Sequence, residues 1–203
     1  MCARFVIFDD NEIAEINRIV KEIGMKYDGT GLSMKTGEIF PTDNAPVVAM
    51  ENGKSSLLLM KWGFPKWDGK GVVINARSET ASEKRMFAAP FKSRRLVIPS
   101  TGFIEWHKCE GKEKRKYIFN TADSSMLYLA GIHTECVGGE TKQPAGRFVI
   151  LTRQANASVS DIHNRMPVIL FKNEIHRFIT DMVFANAVMR RDTVHLIRTE
   201  VSR

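Results

Sequence analysis

A succession of short strand-like segments, beginning at residue 45, limits the possible folds of this chain more than any other feature of its sequence. Each segment is rich in β-branched or aromatic residues and is bounded by turn-forming residues, which is typical of β-strands. We therefore predict a barrel or a folded sheet. The segments are APVVAM (45–50), SSLLLMKWGF (55–64), GVVINARS (71–78), RRLVIPSTGFIEWHK (94–108), RKYIFNT (115–121), MLYLAGIHTE (126–135), RFVILTRQA (147–155) and MPVILF (166–171).

The amino-terminal part of the chain combines one further strand-like run, ARFVIF, with a helical pattern. Over residues 9–24, apolar side chains recur at helical spacing. Asp9 or Asp10 is the predicted N-cap of this helix, and Gly24 is its predicted end. The pattern is that of an amphipathic surface helix.

Two more helices are predicted among the strands, over residues 78–92 and 173–184. Residues 25–46 are dense in Gly, Asp, Thr and Pro and predict a long loop. A chain of 203 residues is long enough for one sizeable core. We therefore expect an α+β fold in a single domain that spans residues 1–203.

The chain is basic, with 30 Lys and Arg against 23 Asp and Glu and a formal net charge of +7. This excess favours polyanionic partners, nucleic acid first. A generally basic and well-solvated surface has the same composition, so charge alone leaves both interpretations open.

The three cysteines, Cys2, Cys109 and Cys136, lack CxxC spacing and support neither a disulfide framework nor a zinc ribbon. A metal site made by folding from Cys109, Cys136, His107 and His133 is a weak alternative, and we expect neither metal nor cofactor.

The run ARFVIF is too short for a signal-peptide core. No apolar run approaches the roughly 18 residues that span a bilayer. We therefore expect a cytoplasmic protein without membrane contact, and a monomer, because no segment resembles a dimerisation helix.

Four stretches place polar residues where apolar ones are expected at strand ends, namely INARSE, GFIEWH, LTRQAN and IHNRMPV. Glu105 lies between Ile104 and Trp106, and burial would require a raised pKa or a nearby cation. Alternatively, Glu105 points to solvent by simple strand alternation. His163 and Asn75 have similar alternatives, as a loop histidine and an Asx-turn residue.

Arg77 and Arg165 are either surface arginines paired with carboxylates such as Glu79 or forks that grip phosphate oxygens. Trp67, in the polar stretch PKWDGK, is either an anchor of the core or an exposed ring that stacks on an unpaired base. Both interpretations stay open.

Cys2 directly follows the initiator methionine. Loss of Met1 would give one residue two nucleophiles, a thiol and an α-amine with a reference pKa of about 7.7 to 8.0. Alternatively, Cys2 is only a small apolar residue near a chain end.

Taken together and in this order, CARF, KWGFPKW, NARSET, IPSTGFIEW and HNRMPV resemble the SOS response-associated peptidase family, the abasic-site processing proteins. The resemblance covers nearly the whole chain. It implies a single α+β domain with a strongly curved, barrel-like and mainly antiparallel sheet, flanked by a few helices, with a basic channel for single-stranded DNA.

Carried over to this sequence, the resemblance implies that Cys2 is the nucleophile and that Asn75, Glu105 and His163 surround it. It also implies that Arg77 and Arg165, joined by Arg4 of CARF, bind phosphate, and that Trp67 is a wedge or stacking platform. Two positions depart from the family pattern: Ala3 replaces the usual glycine, and Asn164 stands where an aspartate commonly follows the histidine.

The implied reaction joins both nucleophiles of Cys2 to the aldehyde of an abasic site in single-stranded DNA, first as an imine and then as a thiazolidine. Removal of Met1 is a prerequisite, and self-cleavage or an aminopeptidase would supply it. Glu105 is the expected proton acceptor, and His163 is expected to act on the sugar.

Two other functions use the same residues. One is a thiol-dependent N-terminal nucleophile hydrolase that acts on peptides or amides. The other is a non-catalytic module that binds single-stranded nucleic acid through Arg77, Arg165 and Trp67.

Overall fold

The computed structural model describes residues 2–8, 14–109, 114–122, 126–135, 144, 146–191 and 194–201. The strands in this part of the chain are β1 Arg4–Ile7, β2 Gly37–Ile39, β3 Asn44–Glu51, β4 Lys54–Trp62, β5 Phe64–Pro65, β6 Val72–Val73, β7 Asn75–Arg77, β8 Arg95–Ser100, β9 Gly102–Lys108, β10 Lys114–Asn120, β11 Leu127–Glu135, β12 Gly146–Gln154, β13 Arg165–Pro167, β14 Ile169–Leu170 and β15 Ile197–Val201. The α-helices are α1 Ala14–Lys26, α2 Arg85–Ser93, α3 Ile175–Thr180 and α4 Met182–Val188, with a 3-10 turn at Lys172–Glu174.

Five strands close into a barrel. Hydrogen-bonded pairing runs in the order β12, β4, β3, β8 and β11, and β11 pairs back with β12. Strands β7, β13 and β14 extend this sheet. All pairings are antiparallel except those of β12 with β4 and with β7. The expected α+β class with a curved, barrel-like and mainly antiparallel sheet is confirmed.

A second sheet, in the order β15, β10, β9, β1 and β2, brings the amino-terminal strand to the barrel. Phe5 of β1 meets Trp62 of β4 edge to face at 5.1 Å between ring centroids. Trp62 in turn stacks on Phe148 of β12 at 6.3 Å. All three rings are fully buried, and burying one such side chain stabilises the fold by about 2–3 kcal/mol.

Gly63 divides the predicted strand 55–64 into β4 and β5. Its φ of 112° is unfavourable for other residues. A Cβ at Gly63 would lie 2.8 Å from the side chain of Val72. The chain therefore leaves the barrel at this glycine and forms the β5–β6 hairpin, which carries Trp67.

Helix α1 does not end at the predicted stop. It continues through Gly24 to Lys26 and is followed by a turn in which Gly29 and Gly31 have positive φ. The prediction of Gly24 as the end is therefore wrong, because glycines later in the chain supply the left-handed conformations. The predicted caps, Asp9 and Asp10, lie outside the described residues.

The other helices are shorter than predicted. Residues 78–84 form turns, and α2 begins only at Arg85. The segment 173–184 breaks at Asp181, which has an extended backbone and accepts hydrogen bonds from the backbone N–H groups of Val183 and Phe184 at 2.8 and 3.0 Å. Asp181 thus ends α3 and caps α4.

Two strands were not predicted. Strand β2 lies within the segment that was expected to be a loop, and β15 lies at the edge of the second sheet. In the described part of the chain, no helix is both long and apolar enough to cross a membrane.

Candidate active site

Cys2 lies just before β1 and is fully buried. Strand β1 pairs with β9 so that Arg4 faces Ile104, and the residues before Arg4 approach Glu105. The Cys2 Sγ lies 3.6 Å from the backbone oxygen of Arg4. Burial, followed by the nearby Glu105 carboxylate, raises the pKa of the Cys2 thiol far above its ordinary value. The thiol therefore stays protonated in this arrangement and needs a base before it can react as a thiolate.

Asn75 holds the backbone of Cys2. Its Nδ2 donates a hydrogen bond to the Cys2 carbonyl oxygen at 2.9 Å, across 73 positions of sequence. This contact places Asn75 in the site and argues against the alternative of a local Asx turn. Its Oδ1 is buried and has no hydrogen-bond partner among the described residues. A free amide oxygen at this point is an acceptor for an amine or a hydroxyl group.

Glu105 is buried, with 4% of its surface exposed, while the neighbouring Trp106 is half-buried. The alternative in which Glu105 points to solvent is therefore wrong. Burial raises the pKa of Glu105 to about 7, against the lowering effect of the positively charged amino terminus. A carboxyl group with this pKa exchanges protons readily near neutral pH.

His163 lies in the loop before β13 and is half-buried. Its Nδ1 accepts a hydrogen bond from the Arg165 N–H at 2.9 Å. Burial, and then the positive charge of the amino terminus, lower the pKa of His163. The Glu105 carboxylate acts on the pKa of the Cys2 thiol, so these two groups lie near each other.

Arg77 is exposed and forms no ion pair within the described part of the chain. It lines two surface hollows, one with Asn75 and Lys84 and the other with His163 and Asn164. Arg77 therefore connects the buried site to the solvent and is available to an anion.

Arg165 is arranged differently, because its guanidinium group binds both carboxylate oxygens of Glu79, at 2.6 and 2.8 Å. The pairing with Glu79 is thus present for Arg165 and, within the described residues, absent for Arg77. These hydrogen bonds outweigh burial and lower the pKa of Glu79 to about 2.

Arg4 lies between two aromatic rings, with its guanidinium carbon 4.3 Å from the Phe40 centroid and 4.8 Å from that of Trp106. It also forms an ion pair with Glu38 at 3.2 Å, and Lys116 binds the other oxygen of that carboxylate. Arg4 is thus held by cation–π and ionic contacts on the second sheet.

Trp67 has 79% of its surface exposed, so it is no anchor of the core. The guanidinium carbon of Arg85 lies 5.3 Å from its ring centroid. Exposed lysines flank it at positions 66 and 70. An open ring among cations is suited to stack on an unpaired base.

Two lysines near the site were missed in the sequence. Lys84 lines the hollow of Arg77. Lys108 ends β9 and is close enough to lower the pKa of His163. Neither lysine stands out in the sequence from the other exposed lysines of this basic chain.

Among the described residues, no three His, Cys, Asp or Glu side chains are grouped closely enough to hold a metal ion. Cys2 and Cys109 are free thiols. Cys136 of the alternative metal site lies outside the described residues.

The comparisons with known proteins agree on one family. A family model described as SOS response associated peptidase (SRAP) matches residues 1–199. The abasic site processing protein YoqW of Bacillus subtilis (strain 168) is 30% identical over 176 residues, which cover 84% of this chain and 76% of YoqW. The abasic site processing protein YedK of Escherichia coli (strain K12) is 36% identical over 110 residues, which cover 54% of this chain and 48% of YedK.

A solved structure from Bacteroides thetaiotaomicron shares the fold. It has a TM-score of 0.76 at 21% sequence identity and covers 99% of this chain and 92% of that chain.

Proposed function

The chain belongs to the SOS response associated peptidase family, and from that membership we propose that it processes abasic sites in DNA. Specifically, it senses an abasic site in single-stranded DNA and forms a covalent crosslink to it through Cys2, after removal of Met1. The crosslink protects the abasic site during replication and the SOS response. The observation that carries this proposal is the burial of Cys2 beside the Glu105 carboxyl group, with Asn75 bound to its carbonyl oxygen.

The proposed reaction uses both nucleophiles of an amino-terminal cysteine. The α-amine of Cys2 attacks the aldehyde of the ring-opened sugar, and the resulting carbinolamine loses one water to give an imine. The Cys2 sulfur then adds to the imine carbon while the thiol proton passes to the nitrogen, which closes a thiazolidine ring. In total one C–N and one C–S bond form, and one water is released.

Glu105 moves the protons in this scheme. With a pKa of about 7, it is partly ionised at neutral pH, and it accepts a proton from the α-ammonium group or the thiol. It then returns a proton to the carbinolamine hydroxyl as water leaves. His163, whose Nδ1 is occupied by the Arg165 N–H, donates a hydrogen bond from Nε2 to the sugar ring oxygen and stabilises the charge that develops there. When the ring opens, the proton of the C1 hydroxyl group ends on that oxygen. Asn75 aligns Cys2 with the aldehyde.

Single-stranded DNA is the proposed form of the substrate, because an unstacked strand delivers the sugar without the cost of base extrusion. Arg77 binds a phosphate beside the site, and Trp67 stacks on a base. The protein acts as a monomer in the cytoplasm and is nucleoid-associated while bound.

Replacement of Trp67 by Ala is expected to weaken single-stranded DNA binding by roughly tenfold, because stacking contributes about 1–3 kcal/mol per base. Phe171, another exposed aromatic residue, gives the matched control Phe171→Ala. Equal affinities of the two variants in fluorescence anisotropy would remove Trp67 from the interface.

We also propose that the chain cleaves its own Met1–Cys2 bond, which the description of the family as a peptidase supports. Synthesis in a cell-free mixture with aminopeptidase inhibited tests this step. Release of Met1 from the unaltered chain, but not from Glu105→Gln, is the expected result. Retention of Met1 by both would contradict self-cleavage.

The crosslink is tested with a single-stranded oligonucleotide that carries one abasic site. We expect the unaltered chain to form a heat-stable adduct on a denaturing gel and Cys2→Ala to form none. Cys109→Ala is the matched control, because Cys109 is the other free thiol among the described residues. A stable adduct with Cys2→Ala would refute the proposal, and turnover of an added peptide without any adduct would favour the hydrolase.

A further inference from the structure

The Arg165–Glu79 ion pair fixes a segment that touches His163. Both terminal nitrogens of the Arg165 guanidinium bind Glu79, at 2.6 and 2.8 Å, and Nη2 also donates to the Thr152 carbonyl oxygen at 2.7 Å. The Arg165 side chain is only 14% exposed. Two parallel charge-assisted hydrogen bonds give the pair a defined geometry as well as strength.

Through Arg165, this ion pair also connects β13 with β12, which lies between β13 and β7. Thr152 of β12 faces Arg77 of β7 on one side and Pro167 of β13 on the other. Its carbonyl oxygen accepts hydrogen bonds from both the Ser78 N–H, at 2.7 Å, and Arg165. The segments NARSET and HNRMPV are therefore tied together at this oxygen.

The backbone of Arg165 offers His163 two mutually exclusive hydrogen bonds. The Arg165 N–H lies 2.9 Å from His163 Nδ1, and the Arg165 carbonyl oxygen lies 3.2 Å from the same atom. An unprotonated Nδ1 accepts from the N–H, and a protonated Nδ1 donates to the carbonyl. The shorter contact favours the neutral tautomer that carries its proton on Nε2.

We propose that Glu79 is a positioning residue that acts through Arg165 to hold His163 in the Nε2–H tautomer. This inference rests on the proposed function, because that tautomer lets Nε2 donate a hydrogen bond to the sugar ring oxygen. Arg77, in contrast, is exposed.

The tautomer of His163 is measured directly by ¹⁵N NMR of the imidazole nitrogens at pH 8, where a histidine with a lowered pKa is neutral. The imidazole signals that disappear in His163→Asn are those of His163. In the unaltered chain we expect a protonated Nε2 and an unprotonated Nδ1. In Glu79→Gln we expect a mixture of the two tautomers, because the bidentate ion pair no longer holds Arg165.

Three further variants sharpen the test. Arg165→Lys keeps the charge but loses the fork, so it is expected to behave like Glu79→Gln and serves if that variant does not fold. Glu79→Asp is expected to restore part of the Nε2–H preference. Glu83→Gln, an exposed carboxylate four residues away, is the matched control and is expected to change nothing.

The rate of adduct formation provides the functional arm. We expect Glu79→Gln to slow the reaction by about tenfold, a part of what a positioned hydrogen-bond donor contributes, while affinity for abasic-free single-stranded DNA changes less than about twofold. Loss of affinity with an unchanged tautomer would overturn the proposal, because it would make Arg165 a phosphate ligand.

The NMR measurement involves no DNA. An unchanged His163 tautomer in both Glu79→Gln and Arg165→Lys overturns the positioning role whether or not the unaltered chain forms an adduct. Absence of an adduct from the unaltered chain overturns the proposed function alone.

Discussion

At the residue scale, the site depends on the burial of a thiol beside a carboxyl group, which is ordinarily exposed to water. Burial raises the pKa of both the Cys2 thiol and the Glu105 carboxyl group. Because each negative charge disfavours the other, the pair holds protons that the reaction can move. Asn75, which does not titrate, supplies the fixed geometry at Cys2.

The pH dependence of the reaction follows from Glu105. Its carboxyl group loses its proton near pH 7, so the rate of adduct formation is expected to rise with pH through that value. The reaction of Glu105→Gln should be slower by roughly 10²-fold or more, and its rate should lack the rise near pH 7. Single-turnover rates between pH 5.5 and 9 check the prediction. A pH profile that Glu105→Gln leaves unchanged would exclude Glu105 as the base.

Glu105 is also expected to make stability depend on pH. Its pKa is about 7 in the folded chain and 4.5 in the reference state. The folded state is therefore penalised as pH rises from 4.5 through 7, and the penalty is complete above pH 7. Glu105→Gln changes the free energy of unfolding at each pH. We expect this change to be more stabilising at pH 8 than at pH 4.5 by about 3 kcal/mol.

Urea unfolding at the two pH values measures this difference. An effect of equal size at pH 4.5 and pH 8 would show that the carboxyl group is not penalised by burial.

At the element scale, one buried arginine joins two helices. Arg95, at the start of β8, donates to the carbonyl oxygens of Phe91 and Lys92 at the end of α2 and of Phe178 and Ile179 in α3. These carbonyls belong to helix ends that lack intrahelical partners. Arg95 thus replaces water where both helices pack on the barrel.

We expect Arg95→Met to lower the free energy of unfolding by about 3 kcal/mol or more, because four carbonyl oxygens lose a donor. Arg94→Met is the matched control. Arg94 is half-buried and donates to a single carbonyl oxygen, of His133, so its loss should cost less than about 1 kcal/mol. Denaturant unfolding compares the two variants, and equal costs would contradict the account.

The elements that sequence reasoning predicted well are those with a clear apolar pattern. The buried strands of the barrel were found because their apolar runs end at turn formers, as in residues 147–155. Strand β15 was missed because four of its five residues are exposed, so no apolar face marks it. The break at Asp181 was missed because α3 and α4 share one continuous apolar pattern.

At the scale of the whole molecule, the candidate site was predictable where residues violated their local pattern. Glu105 between two apolar neighbours and Cys2 at the chain start both stood out in the sequence. Glu79 forms its bidentate ion pair with Arg165 and not with Arg77. Which arginine it reaches depends on how β7 and β13 pair with β12. The stacking of Arg4 on Phe40 likewise requires that β1 and β2 be neighbours, which no local pattern shows.

The net charge of +7 predicts salt-dependent binding of single-stranded DNA. Removal of one phosphate contact by Arg77→Gln should reduce the slope of log K against log salt by about 0.7. Lys54→Gln, which replaces an exposed lysine at the start of β4, is the matched control for lost charge. A slope that both variants reduce equally would indicate a diffuse charge effect in place of a specific contact.

The most direct test of the account is the intact mass of the protein before and after incubation with a single-stranded oligonucleotide that contains one abasic site. We predict a chain that begins at Cys2 and gains the mass of one oligonucleotide less one water, with the modification on Cys2. A chain that begins at Cys2 and keeps its mass unchanged after incubation would contradict the proposed crosslink.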